Sequence, residues 1–199
     1  APWIVHRDFG TLVGGVRALL MQALHPGSLA GVAQHSRYEK DALGRLSGTI
    51  RWLTVTTFGS FEAIAGEASR VNRLHERVKG EYVKKAETVS YRAADPDLLL
   101  WVHIAFTESF LVAHNTFGSN TVNPDEYVEK WGRSAEPLGL TQTPKTFADL
   151  ENQLASFDCL RADDLTKRVV SFIKYPPLPG LAKVSYRLLF DAAVVSLDP

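Results

Sequence analysis

The histidines are the residues of this sequence best suited to chemistry. Five of the six lie on or beside segments with an apolar helical pattern, namely His25, His35, His75, His103 and His114. A buried neutral imidazole needs a partner for each ring nitrogen, because an unpaired polar group in a protein core costs about 1 to 3 kcal/mol. Each ring can bond a nearby carbonyl or carboxylate, which is the usual structural role. Alternatively, an imidazole on a helix can point at a metal or haem iron held between facing helices.

His75 lies in the segment with the clearest periodicity, which runs from Ser60 to Tyr82. Residues recur there at alternating steps of three and four: Phe61, Ile64, Ala68, Val71, His75, Val78 and Tyr82. This spacing places all seven on one face of an amphipathic helix, so it predicts that the His75 imidazole faces the interior. On periodicity alone, packing is the more common role for such a histidine.

Two further positions combine polar chemistry with helical spacing. Arg45 and Thr49, in "RLSGT", are four residues apart, so a guanidinium and a hydroxyl would share one helix face and project into one cavity. The alternative is a solvated arginine and a threonine bonded back to its own helix. The very apolar "DLLLWVHIAFTESFLVAHNTFG" predicts a helix buried in the middle of the fold, with His103 and Glu108 at least partly enclosed. Glu108 is then either a base or, more commonly, an interhelical ion-pair partner.

The short motifs of several large enzyme classes are missing from the sequence. It contains no HExxH, HxH, GxSxG, GxxxxGK[ST] or GxGxxG pattern, which argues against the common zinc peptidases, serine hydrolases and nucleotide sites. No Glu-x-x-His pair occurs either, so a ferritin-like di-iron site is disfavoured. His6 lies in an N-terminal segment that the helical pattern does not place.

Composition narrows the class of protein further. Lys plus Arg and Asp plus Glu each number 22, so the chain has no net charge that would attract nucleic acid. A length of 199 residues suits one well-buried core, so we expect a single domain over 1–199. Cys159 is the only cysteine, which excludes intrachain disulfides and fits a reducing compartment, so a cytoplasmic protein is expected. No apolar run of about 18 residues and no signal peptide are seen, so no transmembrane segment is expected.

Helices must position these side chains, because helical spacing continues along almost the whole chain. It is clear from Phe9 to Leu24, and Asp95 followed by Pro96 is typical of a helix start. Ser28 is the predicted N-cap of a short helix. The β-branched "RLSGTIRWLTVTTFG" is predicted as a helix from its neighbours, against its own propensity. Seven or so helices in one bundle form the simplest architecture, an all-α fold.

Several blocks along the chain carry a family likeness in their order. They are "LLMQALHPGSLAGVAQHS", "RLSGT" with "TTFGS", "RVNRLHERVKG", "YRAADPDLLLWVH", and "PPLPG" before the last helix. Together they resemble the family of latex-clearing proteins and mycophenolic-acid oxygenases, over nearly the whole chain. The blocks "LHPG…HS", "DPDLLLWVH" and "PPLPG" are specific in combination.

The resemblance implies a globin-like helical bundle whose apolar pocket encloses b-type haem (heme b), with a histidine as the proximal iron ligand. The histidine of "RVNRLHERV" matches that ligand, which assigns the role to His75. Rubber-cleaving members line the distal side with an R-x-x-K-T pattern, of which Arg45 and Thr49 are kept while Gly48 stands in the lysine position. The distal position is then open to dioxygen or substrate, or filled by His25 or His103.

The activity implied by the resemblance is haem-dependent oxidation or cleavage of an alkene or other apolar, terpenoid or lipid-like substrate with dioxygen. Arg45 and Thr49 would polarise or orient the dioxygen in a dry pocket. Three alternatives stay open. The first is a haem-binding or redox-sensing module with two histidine ligands such as His75 and His103. The second is a non-haem metalloenzyme built from the same histidines, and the third is a carrier of apolar ligands without a metal.

Overall fold

Helices make up most of the fold. The computed structural model describes residues 1–35, 42–84 and 87–197, and residues 42–46 by their backbone alone. The helices of this described part are α1 (Pro2–Arg7), α2 (Gly10–Gln22), α3 (Pro26–His35), α4 (Ala42–Phe58), α5 (Phe61–Arg77), α6 (Pro96–Phe117), α7 (Pro124–Gly132), α8 (Phe147–Ser156), α9 (Asp164–Lys174) and α10 (Gly180–Val195). The remaining elements are a 3-10 turn (Glu136–Leu138) and an antiparallel pair of strands, β1 (Lys79–Lys84) and β2 (Glu87–Arg92). The predicted all-α class is confirmed.

The central helix is α6, as its continuous apolar sequence predicted. Asp95 precedes it and Pro96 is its first residue, the expected start. Trp101, Ile104 and Leu111 are fully buried and pack with side chains of α7 and α8. At 22 residues α6 is also long and apolar enough to cross a membrane, but 67% of its most apolar window is buried inside this fold. Its hydrophobicity therefore matches the core helix of a bundle.

The first long helix, α2, lies directly against α6. A Cβ atom at Gly14 would lie 2.8 Å from Phe110 Cδ1 and 3.1 Å from the carbonyl oxygen of Ser109, so only glycine allows this approach. The same two helices are joined by a buried pair in which the Arg17 guanidinium donates to the Glu108 carboxylate. Glu108 is therefore an interhelical ion-pair partner, the more common of its two predicted roles.

The predicted helix from Ser60 to Tyr82 is shorter than its periodicity suggested. Ser60 caps α5 by accepting the Ala63 amide at 3.2 Å, but the helix ends at Arg77, and Tyr82 pairs with Val89 across the hairpin. The alternation of "KGEYVK" suits a strand, and the pairing with β2 and the contact with α3 override the helical spacing. The first residue of the stripe, Phe61, is 93% exposed, so the predicted apolar face is buried only in its middle.

The last two helices close over α2. The turn in "YPPLPG" separates them, as predicted, and α10 begins at Gly180 in a left-handed conformation with φ of 45°. Phe190 and Ala193 of α10 pack against Val13 and Val16 of α2. This arrangement, together with α4 and α6, leaves a space between the helices that holds the candidate site.

Candidate functional site

An apolar cavity of about 390 Å³ lies between α2, α4, α6, α9 and α10, and side chains of α1 and α3 also reach its wall. Aliphatic and aromatic side chains form most of its wall, among them Leu19, Leu53, Phe106, Phe110, Ile173 and Leu189. Small-molecule sites usually occupy about 300 to 1,000 Å³ and are mostly apolar, so this cavity has the size and surface of such a site. An apolar pocket is thus present in the bundle, and its occupation by a cofactor stays a prediction.

The cavity reaches the surface between α2 and α4. Leu12, Ile50 and Phe58 belong to its wall, and they are nevertheless 50%, 47% and 42% exposed. An apolar ligand loses little hydration energy when it passes a mouth bordered by apolar side chains, whereas an ionic ligand finds no opposite charge there. The entrance therefore favours uncharged, water-insoluble molecules.

Two hydroxyl groups in the wall are already used within the protein. The Thr11 hydroxyl donates to the carbonyl oxygen of Val5 at 2.7 Å, and the Tyr186 hydroxyl donates to that of Ile173 at 2.7 Å. Burial raises the pKa of Tyr186 to about 12, which keeps the phenol protonated and donating. These polar groups therefore add little polarity to the cavity itself.

Thr49 lies in the cavity wall, on α4. Gly48 precedes it, and a Cβ atom at that position would meet no other atom of the described residues within 4 Å. That this position corresponds to the lysine of rubber-cleaving members stays a prediction from the resemblance. Arg45 belongs to the same helix one turn earlier, but its side chain lies outside the described residues, so its place beside Thr49 stays a prediction.

His75 lies in the last turn of α5 and is half-buried. Its Nδ1 atom is enclosed by protein and has no hydrogen-bond partner. Burial lowers the pKa of the imidazole, so the ring is neutral at physiological pH. Among the described residues, the cavity wall includes Thr49 but not His75, His103 or His25.

His103 is buried on α6, on the side that faces the region of Lys145. Its Nε2 lies 3.5 Å from the hydroxyl of Thr107, which itself donates to the His103 carbonyl oxygen at 2.7 Å. Burial lowers the pKa of His103 to about 4, and the positive charge of Lys145 contributes in the same direction. The ring is therefore a neutral, enclosed imidazole.

His25 is the residue directly before helix α3. Its Nδ1 accepts hydrogen bonds from the amides of Gly27 and Ser28, at 3.2 and 3.3 Å, and its ring packs near Trp101 with centroids 5.8 Å apart. The prediction that Ser28 caps this helix was wrong, because α3 starts two residues earlier, at Pro26, and the imidazole supplies the acceptor. The observed role of His25 is to cap the helix, and binding of a cofactor by it stays a prediction.

The two other histidines of the predicted set lie on separate sides of the molecule. His35 is exposed, and its Nε2 bonds the carbonyl oxygen of Lys79 at 2.8 Å, which ties α3 to the hairpin. His114 is 1% exposed, with Nδ1 4.0 Å from a carboxylate oxygen of Asp8. Neither of them belongs to the described wall of the cavity.

The sequence reasoning did not place His6, which lines the cavity. It lies on α1, is 7% exposed, and its Nε2 is 3.2 Å from the hydroxyl of Tyr127. Burial lowers the pKa of His6 to about 3, with a smaller contribution from nearby His114. The six residues of α1 are too few for a periodicity argument, so the sequence held no signal for this position.

Comparison with known proteins identifies the family. The family model described as "ER-bound oxygenase mpaB/B'/Rubber oxygenase, catalytic domain" matches residues 3–199. No curated protein and no solved structure matches the chain significantly. The match covers nearly the whole chain and agrees with the resemblance carried by the sequence blocks. The chain therefore belongs to the family of mpaB/B' oxygenases and rubber oxygenases, and it corresponds to their catalytic domain.

Proposed function

We propose that this chain is a haem-dependent oxygenase that oxidises or cleaves an alkene or another apolar substrate with dioxygen. Membership of an oxygenase family supports the reaction class. The observation that carries the substrate class is the apolar cavity with Thr49 in its wall and an apolar mouth. A terpenoid or other lipid-like molecule suits such a space, because burying its surface is favourable by about 25 cal/mol for each Å².

His75 is the residue proposed to hold the haem iron. Haem proteins often use one histidine as the proximal ligand, and the ligand must be a neutral imidazole. The neutral ring of His75, with its unpartnered enclosed nitrogen, fits that requirement. Its helix contacts α4, which carries Thr49, so the proposed ligand and the cavity wall lie on neighbouring helices.

The cofactor and the protein would supply different parts of the chemistry. When bound, the haem supplies the redox chemistry toward dioxygen, and the protein supplies ligation, polarity and exclusion of water. The apolar wall holds the substrate by desolvation and keeps bulk water out of the site. Thr49 is the polar wall residue proposed to orient dioxygen, and Arg45, four residues earlier in the sequence, is proposed to act with it.

Gly48 bears on the identity of the substrate. The resemblance aligns this position with a lysine of rubber-cleaving members, and in the described part of the chain no atom lies within 4 Å of a Cβ atom placed here. We propose that no side chain at this position blocks dioxygen or substrate. The missing lysine also argues against a rubber polymer as the substrate.

A haem-binding module without oxygenase turnover is the second candidate. The observation that favours it is the neutral, buried imidazole of His103, which would be able to hold haem iron together with His75. For the non-haem alternative, no group of three or more His, Cys, Asp or Glu within the described ranges is placed to hold a metal ion. A carrier of apolar ligands would use the same cavity and is separated by the test below.

The absorption spectrum of protein expressed with a haem precursor tests the proposal. We expect a Soret band that is lost in His75→Ala and retained in His103→Ala, with exposed His35→Ala as the matched control. Loss of the band in both the His75 and His103 variants would favour the two-histidine module instead. Protein that stays colourless after haem reconstitution would contradict haem dependence and favour the carrier, and metal without porphyrin would favour a non-haem enzyme.

A further inference from the structure

His6 is the one described wall residue of the cavity with a buried side-chain atom that lacks a hydrogen-bond partner. The atom is Nδ1, and the whole residue is 7% exposed. Other polar groups of the wall, such as the Thr11 and Tyr186 hydroxyls, are bonded to backbone carbonyls. An unpaired buried donor or acceptor is unfavourable, so such an atom on a wall residue of a ligand-sized cavity is a group to which an entering ligand would gain by bonding. Because Nδ1 is itself enclosed by its neighbours, a ligand would reach it by displacing adjoining side chains of the wall.

Tyr127 determines which ring nitrogen of His6 carries the proton. The Tyr127 side chain is fully buried, and burial raises its pKa well above the ordinary value, so the phenol keeps its hydrogen. The hydrogen-bond partner of this hydroxyl is His6 Nε2, at 3.2 Å. If Nε2 were protonated, the phenol hydrogen would have no acceptor there, so the stable arrangement has Tyr127 donating to Nε2 and the proton on Nδ1.

The packing around His6 keeps the ring in place. Its centroid lies 4.4 Å from that of Trp131 and 4.9 Å from that of Phe110, which meets it edge to face. Phe110 is itself a wall residue of the cavity. Aromatic contacts on two sides and the Tyr127 bond restrict rotation, so the Nδ1–H is a preorganised donor.

We propose that the cavity selects apolar ligands that carry one hydrogen-bond acceptor oxygen, a carbonyl, ether or hydroxyl, and that the Nδ1–H of His6 donates to this oxygen. This rests on the proposed function in that the cavity is taken as the substrate site, and it adds the chemistry of one substrate group. His6 is a specificity-determining residue in this view. Because the ring stays neutral, it offers a donor without the cost of desolvating a charge.

A pair of ligands with one skeleton tests the proposal. Menthone carries a ketone oxygen, whereas p-menthane is the hydrocarbon of the same shape, and each can displace the neutral dye Nile red from the purified protein. The quantity to compare is the Kd of p-menthane divided by the Kd of menthone. We expect this ratio to fall by about tenfold in His6→Phe, the effect of losing one net hydrogen bond.

Two variants separate a specific bond from a general packing effect. His6→Asn retains an N–H donor near the position of Nδ1, so it should recover part of the preference for menthone. Tyr127→Phe removes the donor to Nε2 and should reduce the preference while leaving p-menthane binding unchanged. In ¹⁵N-histidine spectra we expect the wild-type His6 ring protonated on Nδ1, and a shift of that signal with menthone but not with p-menthane.

Two control variants test whether the ligands bind in the cavity. His35→Phe, at an exposed histidine outside the described cavity wall, should keep the wild-type ratio, and Leu19→Trp should block both ligands by filling the cavity. An unchanged ratio in His6→Phe, or displacement that persists in Leu19→Trp, would overturn the proposal. Failure of menthone to displace the dye from wild-type protein would overturn it as well. The assay measures binding without turnover, so a missing Soret band would refute haem dependence and leave this result intact.

Discussion

The Arg17–Glu108 ion pair joins α2 to α6, and removing one of its charges measures how much it stabilises the fold. Arg17 Nη2 donates to Glu108 Oε1 at 2.7 Å, and the two side chains are only 3% and 10% exposed. Arg17 also donates to the Ser109 hydroxyl and the Ser196 carbonyl oxygen, both at 3.2 Å. In Glu108→Gln the guanidinium stays buried without its counter-charge, which costs about 3 to 5 kcal/mol.

Thermal unfolding followed by circular dichroism checks this magnitude. A domain of this size loses about 2 to 4 °C of Tm for each kcal/mol, so Glu108→Gln should lower the Tm by about 6 to 20 °C. The double variant Arg17→Met with Glu108→Leu removes both charges and should recover most of the loss. A matched control is Glu126→Gln, which breaks an exposed pair with Lys130 and should have no measurable effect.

A Tm for Glu108→Gln within about 2 °C of the wild type would refute the reasoning, because it would mean that the buried guanidinium needs no counter-charge. A double variant as unstable as the single one would also refute it, since the loss would then come from packing.

Three further predictions concern stability and are measured by urea unfolding. Gly48→Ala should stabilise the protein by about 0.5 to 1 kcal/mol, because its Cβ meets open space in a helix, whereas Gly14→Ala should destabilise it by about 1 to 3 kcal/mol through its clash with Phe110. Equal effects of the two changes would contradict this. His103 has a pKa lowered to about 4, so protonation of this ring favours the unfolded chain. Its contribution to the free energy of unfolding should be fully present above about pH 6.5 and should fall toward pH 4 by about 3 kcal/mol at most. His103→Gln should flatten that decline, and an unchanged pH profile would argue against it. Thr146→Ala should cost about 1 kcal/mol by removing the side chain that caps α8, and no loss would show that the capping box is dispensable.

Most helices could be predicted because their signals are local. Asp95 and Pro96 mark the start of α6, and its continuous apolar sequence predicted a central helix. Val78 and Tyr82 show the limit of this approach, because they continue the helical spacing of α5 yet lie beyond its end. The pairing of β1 with β2 stabilises Tyr82 in an extended form, and the Val78 carbonyl oxygen accepts the Ala93 amide at 2.9 Å just before the hairpin. A pattern that follows one segment does not include such partners.

The candidate site likewise has features that the sequence could predict and features that it could not. The sequence predicted that His103 and Glu108 are enclosed, since both lie in a segment too apolar to face water. It left Glu108 as a base or, more commonly, an ion-pair partner, and the structure shows the pair with Arg17. It placed a cap at Ser28, whereas His25 accepts the first amides of α3. An imidazole cap depends on the ring turning back over the helix start, which composition does not reveal.

By itself, the sequence determined the helical class, the family and the residue types available for chemistry, because periodicity, caps and the ordered blocks are properties of neighbouring residues. Only the tertiary structure decided which side chains share a cavity. Thr49 and His6 are far apart in the chain and meet the same apolar space, whereas His75 lies outside its described wall. The cavity forms from the packing of several helices from α1 to α10, and no single one of them contains the information about the others.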